Sequence, residues 1–70
     1  MSITENLQRI FKAGYTGFSL WNGYGNPNKI MGCLTKDYKP FTESNLWDYV
    51  PTAEEAVERL ANIAEENPVE

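Results

Sequence analysis

The chain of 70 residues has no histidine and one cysteine, Cys33, and each scarcity removes a class of chemistry. Without imidazole there is no histidine base, no histidine metal ligand and no Ser-His or Cys-His nucleophile pair. A single thiol cannot close an intrachain disulfide, and neither a cysteine cluster nor a Cys/His pattern is present for a structural zinc. A reducing compartment fits best. No run approaches the roughly 18 apolar residues of a membrane helix. The opening Met1-Ser2-Ile3-Thr4-Glu5 lacks the basic and apolar regions of a signal peptide. The expectation is a soluble, cytoplasmic protein with no membrane association. Bases are few as well: six Lys and Arg stand against ten Asp and Glu, a formal charge of −4 that disfavours a polyanionic partner.

What is present argues for one small folded domain spanning residues 1–70, since hydrophobic residues make up 41% and aromatics 13% of the chain. Ile3, Leu7, Ile10 and Phe11 recur at helical spacing within 2–13. Ser2 and Glu5 form a capping-box pair, Arg9 and Lys12 suit the negative end of the dipole, and Gly14 suits the position after the last turn. Residues 16–22 and 29–35 alternate as strands around the turn-rich stretch 22–28. Phe18, Leu20, Ile30 and Leu34 share one face, and Trp21, Met31 and Cys33 the other. Gly32, between Ile30 and Leu34, suits a bulge or a close approach of helix to sheet. A second turn at 36–40 leads to a third strand over 41–49, read as an edge. Thr52 and Glu55 open a helix over 52–66, with Ala53, Ala56, Val57, Leu60, Ile63 and Ala64 as its apolar stripe and 67–70 as a frayed tail. The predicted fold is α+β, helix-strand-strand-strand-helix, a three-stranded antiparallel sheet with both helices on one face. Its reverse face would then be open and apolar.

Catalytic and cofactor signals are weak. Glu43 and Asp48 are five residues apart, on opposite faces of a regular strand, and solvated edge charges explain both. Gly23-Tyr24-Gly25 matches only the first part of a dinucleotide fingerprint and opens no helix. Cys33 stands among apolar neighbours and reads as a packing residue. The expectation is therefore a non-enzyme with no cofactor and no metal.

Charge is divided unevenly. Residues 1–50 hold four acids and five bases, whereas 51–70 hold six acids and only Arg59, a net −5. One reading docks the second helix, through Glu54, Glu58, Glu65 and Glu66, on a basic protein surface. A solvated helix face accounts for the same charges. Another stacks a single strand or nucleotide on Trp21, Tyr24, Tyr38 and Phe41 beside Lys29, Lys36 and Lys39, which are few for that task. The element order is similar to the topology of the double-stranded RNA-binding domain and of small toxins built on that plan. The likeness stops at topology, because Thr52-Ala53-Glu54-Glu55 opens the last helix without lysine and the chain lacks the toxins' histidine.

The reading that follows is a small acidic protein-binding module. It acts as a homodimer or with a larger protein, as an inhibitor or accessory protein of the phage-like kind that masks a host or defence factor. Its binding residues are Trp21, Tyr24, Met31, Tyr38, Trp47, Glu54 and Glu58. The alternative is a homo-oligomer that sequesters a small molecule, such as a nucleotide, between aromatic loops.

Overall fold

The computed structural model describes residues 2–23, 25–36 and 49–69. Helix α1, Ile3–Lys12, starts where the sequence places its cap: the Ser2 hydroxyl accepts from the Glu5 N–H at 3.2 Å, and a Glu5 carboxylate oxygen accepts from the Ser2 N–H at 3.3 Å. These bonds satisfy backbone donors that the first turn leaves orphaned, and they hold the Glu5 carboxyl below the ordinary range. The helix stops at Ala13, after which Gly14 takes φ +104°, a conformation that a Cβ would strain.

The buried side of α1 keeps only part of its expected apolar face, Leu7 and Ile10. Asn6 and Ile10 are buried and Leu7 and Ala13 half-buried, while Ile3 and Phe11 are 40% and 50% exposed. The helix is turned toward helix α2, Ala53–Glu66, on which it chiefly packs. Thr52 caps α2 by accepting from the Glu55 N–H at 3.2 Å. Its stripe of Val57, Leu60, Ala61 and Ala64 meets Ile10, Tyr15 and Leu34 in one core, with Leu7, Phe18, Leu20, Ile63 and Val69 around it.

Strands β1, Gly17–Gly23, and β2, Asn26–Thr35, pair antiparallel in regular register from Gly17↔Thr35 to Asn22↔Ile30, so Phe18↔Leu34 and Leu20↔Gly32 share the helix-facing side. The ladder then breaks: the next pair is Gly23↔Asn26. Gly25, φ +71°, turns the chain ahead of Asn26. Gly32 is where helix meets sheet, since a Cβ there would stand 2.7 Å from Leu20 Cδ2 and 3.0 Å from Leu60 Cδ1. That close approach brings α2 down onto β2.

Two expectations are corrected, and a third falls mostly outside the described residues. Of the strand placed over 41–49, residues 41–48 lie outside the described residues and Tyr49 is in no strand. Among the described residues the sheet is two-stranded, bordered on β2 by a single antiparallel bridge in which Ile30 and Val50 exchange backbone hydrogen bonds of 2.7 and 3.0 Å. The tail after α2 is tied down through Val69. Its N–H donates to the Ala13 carbonyl at 2.8 Å, and its side chain packs against the core beside Gly14. Alongside it the Tyr15 hydroxyl donates to the Asn67 carbonyl. Finally, the reverse face of the sheet is not bare. Cys33 is fully buried there and Thr35 nearly so, and Trp21 and Met31 are half-buried. A strand residue without exposure has cover on both sides, so the reverse face is covered at its Cys33–Thr35 end and keeps only partial exposure at Trp21 and Met31.

Candidate interaction surface

Trp21 and Met31 are brought together as directly opposed residues of β1 and β2. In an antiparallel pair such residues have Cβ atoms about 4.5–5.5 Å apart, and a sulfur beside an aromatic ring adds a favourable contact. The pair faces away from the helices, next to Ser19↔Cys33. Burial pushes the Cys33 thiol up, partly opposed by hydrogen bonds with Ser19, so the group stays protonated and packs as a small apolar residue. Tyr24, Tyr38 and Trp47 lie outside the described residues, as do Glu43 and Asp48.

The acidic residues lie elsewhere. Glu54 and Glu58, one helical turn apart, are exposed on α2, as are Glu55 and Glu66. Glu65 does not belong with them as a free contact. Arg9 Nε donates to Glu65 Oε2 at 2.9 Å and Nη2 to Oε1, a bidentate pair that holds the Glu65 carboxyl below its ordinary range and raises the guanidinium. Arg9 Nη2 also donates to Asn62 Oδ1 at 2.7 Å, and Nη1 to Asn6 Oδ1 at 2.9 Å. One guanidinium thus joins two turns of α1 to two turns of α2 and satisfies the acceptor of the buried Asn6.

This polar clasp has only a faint trace in the sequence. Asn6 at i and Arg9 at i+3 interrupt an apolar face, a sign that something polar must meet them, but the partners are 53 and 56 residues away. Beside the clasp, Arg9, Lys12, Ala13, Glu65 and Pro68 line a shallow groove of about 270 Å³, open to solvent and mixed in charge. No group of three or more Cys, Asp or Glu able to hold a metal occurs among the described residues. No helix among them is long and apolar enough to cross a membrane. Comparison with protein-family models, curated proteins and solved structures finds no match for this chain.

Proposed function

We propose that the chain is a small acidic protein-binding module, one that covers a site on its partner through Trp21 and Met31, while the acidic outer face of α2, on the other side of the sheet, steers its approach to a basic surface. The placement of charge along α2 is the observation that supports this most. The helix carries no base in its last turn, where the dipole favours one, and Glu66 stands there exposed. Each such mismatch costs about 0.3–1 kcal/mol at an exposed position. Glu54 and Glu58 add repulsion at i and i+4, a spacing that destabilises a helix by roughly 0.2–0.5 kcal/mol. Glu54 is favoured by the dipole of the first turn and Glu58 attracts Arg9, so folding uses part of this charge, and a basic partner surface would be steered and oriented by the rest. Blocking a host or defence factor, in the manner of inhibitors encoded by mobile elements, suits a chain of this size and acidity.

In-cell photo-crosslinking from an aromatic probe at position 21 tests the reading. With Glu54 and Glu58 in place the chain is expected to join a defined protein, and Glu54→Lys with Glu58→Lys to abolish the adduct. An adduct indifferent to charge reversal, or none at all, overturns it.

A further inference from the structure

The dipeptide Asn22-Gly23 is a strong signal for a tight hairpin turn, with both residues at positive φ. The chain does not use it so. Both residues are in β1, the turn comes later at Gly25, and Asn22-Gly23 instead spans the break in the ladder. Asn22 pairs with Ile30 and Gly23 with Asn26, passing over Pro27, Asn28 and Lys29. The peptide bond between them is therefore the one link of β1 whose two ends belong to different registers, and the Asn22 side chain is exposed beside it.

We propose that Asn22 is a site of spontaneous deamidation through a succinimide closed by the backbone nitrogen of Gly23. The Gly23 amide nitrogen, losing its proton to solvent base, attacks Asn22 Cγ. A C–N bond forms, the side-chain amide nitrogen leaves as ammonia, and a five-membered imide results. Water opens the ring at either carbonyl, giving aspartate or isoaspartate with no change of oxidation state. Closure requires Asn22 to leave the extended conformation, which a continuous ladder on both sides would resist and a bulge resists less. Glycine offers the nitrogen no Cβ to shield it and adopts the rotated backbone at low cost.

The chain's other asparagines are poorer sites for stated reasons. Asn26 and Asn67 precede proline, which has no N–H. Asn6 and Asn62 are held in α1 and α2. Asn28 and Asn45 are followed by the bulkier Lys29 and Leu46. The product changes the surface described above, since a carboxylate appears next to Trp21, taking the formal charge from −4 to −5, and isoaspartate lengthens the backbone of β1 by one methylene.

Incubation of the full chain at mildly alkaline pH in ¹⁸O-water, followed by fragment mapping of the tryptic peptides that hold Asn22 and Asn28 (13–29) and Asn45, provides the test. Label is expected at residue 22, as both aspartate and isoaspartate, at least about tenfold faster than at Asn28 or Asn45, the factor given by about 1.4 kcal/mol of barrier. Gly23→Ala should slow the reaction, and Asn22→Gln should remove the new acidic species on ion exchange. Absence of label at residue 22, a rate no greater than that of Asn28, or an acidic species that persists in Asn22→Gln overturns the proposal.

Discussion

At the residue scale, two glycines do work that no other residue could do without strain. Gly14 at φ +104° would put a Cβ 2.8 Å from Val69 Cβ, and a left-handed conformation alone costs a non-glycine residue roughly 1–2 kcal/mol. Gly32 has an ordinary φ, but its Cβ would crowd Leu20, Leu60 and the Ser19 carbonyl oxygen at 3.2 Å. Overpacking of that kind costs about 1–3 kcal/mol. Gly14→Ala and Gly32→Ala are therefore both expected to lower the free energy of unfolding in urea by more than 1 kcal/mol. An unchanged midpoint for Gly32→Ala would mean that α2 is not seated on β2 as described. Tyr15→Phe removes the donor to the Asn67 carbonyl while keeping the buried ring, so a loss of about 1 kcal/mol is expected. Both glycines were legible as letters, Gly14 as a helix stop and Gly32 as either a bulge or a close approach, of which the structure has the second. Tyr15 was not, because its partner is a backbone carbonyl 52 residues away.

At the scale of elements, local signals and distant contacts divide the structure between them. The caps at Ser2 and Thr52 and the ends of both helices follow from residues within three positions of each other, and they are where the sequence puts them. The orientation of α1 does not follow, because it depends on α2. A hydrophobic pattern ranks Phe11 above Asn6, yet Arg9 makes Asn6 an acceptable core residue and Phe11 faces solvent. The same contact makes the helix pair sensitive to acid. The Glu65 carboxyl is held low in the folded chain by Arg9, so its contribution is fully present above the ordinary carboxylate range and is lost as pH falls through the lowered folded value. Glu65 is 52% exposed along its side chain, and solvent keeps the effect modest. Glu65→Gln should thus unfold at a lower temperature than wild type at neutral pH, and the difference should shrink as acid is added. A difference that grows toward acid would contradict the clasp. Arg9→Ala should cost more than Glu65→Gln at every pH, because it also strips the donor from buried Asn6.

At the scale of the whole molecule, indole and carboxylates should be separable by what they change. Trp21 and Met31 are half-buried side by side, so they can bring a partner desolvated apolar contact. Truncating such an aromatic at the centre of an interface typically costs at least about 2 kcal/mol and acts through the dissociation rate. Glu54 and Glu58 stay in water on a different element, where a charge steers the approach and neutralising it mainly slows association. Trp21→Ala is therefore expected to weaken partner binding or self-association by at least about thirtyfold, chiefly in the off-rate and with little dependence on salt. Glu58→Gln should change affinity by less than about fivefold, in the on-rate, and its effect should vanish as salt shortens the screening length to a few ångströms. Thermal midpoints measured on both variants separate this from misfolding, since Trp21 also touches the sheet. Should the two substitutions give equal and small effects, the reverse end of the sheet is no anchor. If instead Glu58→Gln dominates and stays dominant in high salt, the carboxylate is buried by the partner, and α2 rather than the Trp21–Met31 pair forms the centre of the interface.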